Sequence, residues 1–249
     1  MNASFEPVWH SDRPLFVNWG LPSSLRLLII GKSNCGKSFL LLRLLIEGYL
    51  DYNNLCLFTP SLHQIEYQIL VESLKHGLSQ SRIMSIFDCQ DDIDDPIQLI
   101  KEVSYSLGNT RENIKVEAYD TDEKLPKPET FDKKKKNLLV LDDCAYDRQS
   151  NIHSYFIRGR HNNINCIYLS QNYFQLPRKS IRANSNCFIF FKLNAKDLSN
   201  VWQDIASMDY PDIDDFKQIC ANAWRQAHGY LLIDTTADDL PKKYRANCF

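Results

Sequence analysis

No two cysteines in this 249-residue chain are spaced C-x-x-C; the eight stand singly at 35, 56, 89, 144, 166, 187, 220 and 248. That spacing argues against a zinc site and a disulfide framework and suits a reducing interior. Cys56, Cys166 and Cys187 fall inside apolar, strand-like runs, where a thiol acts as a small hydrophobe. Apolar runs near the ~20 residues that cross a bilayer are also missing. So is an N-terminal targeting signal, because Met1 to Trp9 carries Glu6, no basic residue and few apolar ones. The chain is expected to be intracellular and soluble, with no membrane partner. Neither sign of charge dominates: the formal net charge is −2, so any contact with nucleic acid has to be local. Internal repeats are absent. The length allows one large α/β domain or two small ones.

Against those absences stands one motif. Gly31-Lys32-Ser33-Asn34-Cys35-Gly36-Lys37-Ser38 matches G-x-x-x-x-G-K-[ST]. From average residue usage, a chance match in a chain this long arises roughly once in a hundred. The apolar run Leu25–Ile30 precedes the motif and Phe39–Leu45 follows it, which is the required strand–loop–helix context. The glycines let consecutive N–H groups turn inward, and the next helix adds its positive end, so the loop can hold a triphosphate. Lys37 is placed for the β/γ-phosphates and the Ser38 hydroxyl for Mg²⁺; Phe39 closes the cofactor-binding stretch.

Strands alternate with helices along the rest of the chain. Asn54–Phe58 reads as a strand, Gln64–His76 as a helix and Arg82–Phe87 as a third strand. Asp91, Asp92, Asp94 and Asp95 precede Pro96 and a helix to about Tyr105, an acidic cluster suited to a helix N-terminus rather than to a metal. Residues 108–136 are polar, carry Pro126 and Pro128, and end in Lys133-Lys134-Lys135-Lys136. They read as a flexible insertion whose lysines form a solvated edge, with DNA phosphate contact as the alternative. Strands follow at Asn137–Leu141, Asn165–Leu169, Cys187–Phe191 and Gly229–Ile233, with helices near 195–206 and 212–227. The pattern implies a mainly parallel central sheet flanked by helices on both faces. The expected organisation is an aromatic-rich N-terminal arm over 1–24, a domain over 25–233 and a C-terminal tail over 234–249.

Two further strand ends carry chemistry. Leu138–Leu141 runs into Asp142-Asp143; in a parallel sheet such ends line the ligand crevice. Asp142 would face Mg²⁺, and Asp143 would orient and deprotonate an attacking water. Cys166–Leu169 runs into Ser170-Gln171, placing an amide to sense the γ-phosphate or hold the water. Arg158, Arg160, Arg178 and Arg182 offer forked donors of the arginine-finger kind, although surface ion pairing accounts for most of them.

Gly31–Ser38, Leu138–Asp143, Gly159-Arg160-His161 leading to Leu169-Ser170-Gln171, and Leu176-Pro177-Arg178 through Ile181-Arg182-Ala183-Asn184 occur together and in this order. With them the chain, from about Leu25 to Ile233, resembles the poxvirus-type genome-packaging ATPases of the FtsK–HerA superfamily, found in large DNA viruses, virophages and Maverick/Polinton-like elements. The resemblance implies an α/β P-loop NTPase of the ASCE (RecA-like) kind, with a strand inserted between the P-loop strand and the Walker B strand. It also implies a homo-oligomeric ring that hydrolyses ATP with Mg²⁺ and drives double-stranded DNA into a preformed capsid, alongside a capsid or portal component. Lys37 and Ser38 then carry over as Walker A, Asp142 and Asp143 as Walker B, Gln171 as sensor, and Arg182 or Arg160 as the finger. Asp143 departs from the pattern, standing where many such motors have Glu.

The rival reading is a small-molecule phosphotransferase, a nucleoside or nucleotide kinase. It needs an arginine-bearing lid and an acceptor pocket, and the latter is not evident. A GTPase would want Asn-Lys-x-Asp, and Asn194-Ala195-Lys196-Asp197 has those letters in the wrong order. A non-enzymatic scaffold is opposed by the intact Lys37, Ser38, Asp142 and Asp143.

Overall fold

The computed structural model describes residues 20–107, 114–121, 124–144 and 150–249. The N-terminal arm expected over 1–24 lies, up to residue 19, outside them. The chain forms β1 (Arg26–Ile30), α1 (Lys37–Ile46), β2 (Asn54–Phe58), α2 (Ile65–Lys75), α3 (Gln80–Asp88) and α4 (Pro96–Leu107). It continues through β3 (Lys115–Tyr119), β4 (Asn137–Asp142), α5 (Ser150–Arg158), β5 (Ile164–Ser170) and β6 (Cys187–Phe191). Then come α6 (Ala195–Val201), a π-helical turn at Trp202–Ala206, α7 (Ile213–Ala223), β7 (Tyr230–Asp234), α8 (Leu240–Lys243) and β8 (Tyr244–Ala246).

The strands form one sheet in the order β3-β2-β4-β5-β1-β6-β7-β8. From β3 to β6 every pairing is parallel; β7 and β8 are antiparallel additions. β5 therefore lies between the P-loop strand β1 and the acid-bearing strand β4. Both faces are covered, so the middle of each central strand is a run of apolar residues instead of an alternation. Leu27 and Ile29 join the core layer with α1 and α2, while Leu28 and Ile30 join the layer with α5 and α7. All eight cysteines are free thiols, and burial pushes Cys166 up to about 12.

Three segments differ from expectation. Arg82–Phe87 is helical, within α3: Ile83 and Ile86 are buried while Ser81 and Ser85 are exposed, a spacing of three that a strand would split between faces. The third strand lies instead inside 108–136, as β3 at the sheet edge. Ile114, Val116 and Ala118 alternate onto the core there, and Glu117 pairs with Lys115 along the edge. The same segment buries Leu125 and Pro128, and the Tyr155 hydroxyl donates to the Pro126 carbonyl, so this part folds onto the domain. The tail over 234–249 supplies β8. Asn247 Oδ1 accepts from the Tyr230 amide at 2.8 Å, and the Tyr244 hydroxyl donates to Asp209 at 2.6 Å. The acidic cluster before Pro96 does cap a helix: Asp95 Oδ1 accepts from the Gln98 amide at 2.9 Å.

Candidate nucleotide-binding site

Register brings the functional strand ends together. Ile30 pairs with Ser170 across β1 and β5, and Asp142 with Leu169 across β4 and β5. Gly31, Gln171 and Asp143, one residue further on, thus share the carboxyl end of three adjacent strands. The Gly31 amide is tied to the Ser170 carbonyl at 3.1 Å, which fixes the loop's start.

The loop needs its glycines for two reasons. A Cβ on Gly31 would sit 2.6 Å from Cys35 Sγ and 2.7 Å from Phe191 Cβ. Gly36 has φ +107, a conformation L side chains rarely adopt, and stands as N-cap of α1. Lys37 Nζ folds back over the loop, donating to the carbonyls of Gly31 at 2.7 Å and Lys32 at 2.9 Å. Lys32, Ser33, Asn34, Ser38 and Phe39 are exposed at the mouth; Cys35, Gly36 and Lys37 are half-buried.

Two side chains that sequence reasoning missed complete the site. Tyr67, on the first turn of α2 and 3 % exposed, donates a hydrogen bond to Asp142 Oδ2. The Ser38 hydroxyl lies close enough to oppose, in small part, the rise of the Tyr67 phenol. Burial, then the Asp142 charge, push the Tyr67 phenol far up, so it stays a neutral donor. Burial likewise pushes the Asp142 carboxyl up; the Tyr67 hydrogen bond and the Lys37 charge oppose that, and Asp143 adds to it. Ser38 and Asp142 therefore converge on one point with hard oxygen donors, the donor type Mg²⁺ prefers. His228, on the turn before β7, braces the loop from outside, with Nδ1 3.0 Å from the Cys35 carbonyl oxygen. No signal in the sequence marked Tyr67. The His228-Gly229 pair ahead of an apolar strand marked a turn and nothing more.

Asp143 is exposed, has φ +53 and has no side-chain partner among the described residues. Gln171 is exposed beside it, just past the end of the intervening strand. The two finger candidates lie elsewhere. Both Gly159–Asn162, which carries Arg160, and Arg182 precede a parallel strand, and so sit at the amino end of the sheet. That end is about 20 Å from the P-loop at the strand rise per residue. Arg160 is exposed. Arg182 is 9 % exposed, pairs with Asp204 at 2.8 Å and lies over the Tyr173 ring. Giving that guanidinium to a neighbour would leave Asp204 half-paired in a poorly solvated place. Arg178 shares Asp204 at 2.9 Å, and Arg158 faces Glu129 at 3.8 Å.

A parallel sheet with a P-loop at one strand end, an acid pair two strands away and a polar-ended strand between them defines a P-loop NTPase. The chain belongs to the poxvirus A32 protein family, whose model matches residues 88–223. That span includes Asp142, Asp143, Gln171 and both finger candidates, but starts after the P-loop. Among solved structures the fold is similar to the genome packaging NTPase B204 from Sulfolobus turreted icosahedral virus 2. For the complex with AMPPCP the TM-score is 0.53 at 12% identity, covering 91% of this chain and 98% of that one. For the complex with ATP-gammaS it is 0.52 at 12% identity, with the same coverage. No curated protein matches the chain. Among the described residues, no helix is long and apolar enough to cross a membrane.

Proposed function

We propose that this chain is an ATP-hydrolysing motor that drives double-stranded DNA into a capsid, working as a ring of identical subunits. The convergence of Lys37, Ser38 and Asp142 at one strand end, with Asp143 and Gln171 beside them, carries the reading. Membership of the A32 family and likeness to a fold solved as a genome packaging NTPase support it. The loop amides and Lys37 bind the phosphates, and the exposed Phe39 gives the base a ring to lie against. Ser38 and Asp142 would hold Mg²⁺, which supplies charge neutralisation at the transferring phosphoryl group. Asp143 orients the attacking water and takes its proton, and Gln171 reports the γ-phosphate. A neighbour's Arg160 completes the site; unlike Arg182, it is free to cross a subunit boundary. A capsid or portal component receives the ring, and virion assembly inside the host cell is its setting. The phosphotransferase alternative is not favoured, because the family and the fold that the chain shares are those of packaging NTPases.

ATP-dependent displacement of a third strand from linear duplex DNA tests this. The motor reading expects displacement by the wild type and none with a non-hydrolysable analogue. Hydrolysis without displacement, on any duplex and at low salt, would contradict it.

Tyr67 is a positioning residue in this scheme, since its hydroxyl holds one carboxylate oxygen of Asp142. Tyr67→Phe keeps the ring and its packing while freeing that carboxylate. Outer-shell partners of this kind are worth about 10-fold or more in metal affinity. The Mg²⁺ concentration that half-saturates nucleotide binding is expected to rise about 10-fold, with metal-free nucleotide binding unchanged. A fall in that concentration would mean the hydroxyl competes with the metal instead.

A further inference from the structure

The lysine run and the arginine turn ahead of β5 are 25 residues apart in sequence, yet they form one surface. Asp132 shapes the first turn, its Oδ1 accepting from the Lys134 amide at 3.0 Å. Buried Asn137 then clamps the two turns together: its Nδ2 donates to the Lys135 carbonyl at 3.1 Å and to the Asn162 carbonyl at 3.2 Å. Asn163 Nδ2 returns the contact, donating to the Lys135 carbonyl at 2.7 Å. Rigid turns therefore hold Lys133, Lys134, Lys135, Arg160 and His161 out into solvent on one face.

Their charges are not answered. Lys136 pairs with Asp51, and Arg158 faces Glu129. Lys133, Lys134, Lys135 and Arg160 have no carboxylate partner among the described residues. Arg26, at the start of β1, adds to the crowding: burial first, and then the Arg160 charge, lower its guanidinium from the ordinary value. Its Nε is buried without a partner. In a chain of net charge −2, this collection of like charges stands out as a local field.

The face lies at the amino end of the sheet, away from this subunit's own P-loop, and Lys133, Lys134 and Lys135 are no part of the nucleotide site. We propose that Lys133, Lys134 and Lys135, with the field of Arg160 and Arg26 beside them, grip duplex DNA through its phosphates. This rests on the motor reading and adds where the grip lies. A duplex presents one negative charge per about 1.7 Å of axis, and flexible lysine stems meet such a rail without reading sequence. Single strands are held by aromatic platforms. The aromatic beside these lysines, Phe131, is instead packed edge-on to Tyr155, with ring centroids 6.0 Å apart. Because Asn137 and Asn163 tie the lysine turn to the Arg160 turn, a load on DNA is passed straight to the turn that carries the proposed finger.

The test is duplex binding by the full chain across a salt series, comparing wild type with the triple variant Lys133→Gln/Lys134→Gln/Lys135→Gln. Each lost phosphate contact lowers the slope of log affinity against log salt by about 0.9, so the triple variant is expected to lose roughly 2 to 3 units of slope. Its nucleotide affinity and DNA-free hydrolysis are expected to match wild type. Unchanged slope and affinity in the triple variant, with wild type still binding, would overturn the proposal and leave the motor reading standing. A wild type that fails to bind duplex even at low salt would overturn both.

Discussion

Asp143→Asn is expected to lower steady-state ATP turnover by about 100- to 10,000-fold, the range for losing a general base, with little change in nucleotide affinity. The substitution removes negative charge and basicity while keeping size. It also suits the backbone: Asp143 sits at φ +53, and asparagine is among the few residues that tolerate that region. Loss of turnover would therefore not come from strain. The side chain has no partner among the described residues, so the melting temperature should not move. Phosphate release and nucleotide titration on the same preparation check both halves. Turnover within a few-fold of wild type would pass the base role to another group. Gln171 cannot take it, because an amide does not accept a proton at neutral pH.

Lys37→Ala should cost about 100- to 1,000-fold in turnover, the loss seen when one donor to a developing negative charge is removed. Here nucleotide affinity should fall as well, since the proposed role has Lys37 meeting the phosphates in the ground state too. Folding should be nearly indifferent. The amine bonds only the carbonyls of Gly31 and Lys32, and the latter bond is exposed to water. If the site is finished by a neighbour, mixing the variant into wild type will depress activity by more than its share of subunits. Activity that falls in simple proportion to the variant's fraction would argue for subunits acting alone.

The strands that carry the site were legible because each is a largely apolar run with a polar or turn residue after it: Leu25–Ile30 before Gly31, Leu138–Leu141 before Asp142, Cys166–Leu169 before Ser170. Short or weakly apolar elements were not. The six residues Arg82–Phe87 fit either period, and the helix prevailed because it turns Ile83, Ile86 and Phe87 toward one core. In β3 the alternation of Ile114, Val116 and Ala118 was present but masked by flanking charge and proline. Side-chain partnerships across long separations left no trace. Tyr67 meets Asp142 at a separation of 75 residues, and His228 meets Cys35 at 193. Arg182 stands among the finger candidates because nothing in the sequence announces that Asp204 folds against it.

The most direct test of the account is steady-state ATP hydrolysis with and without double-stranded DNA across a salt series, run alongside Asp143→Asn. The account predicts hydrolysis that duplex stimulates, stimulation that fades steeply as salt rises, and neither in the variant. Hydrolysis indifferent to DNA at every salt concentration, or turnover appearing only when a nucleoside or nucleotide acceptor is supplied, would contradict it.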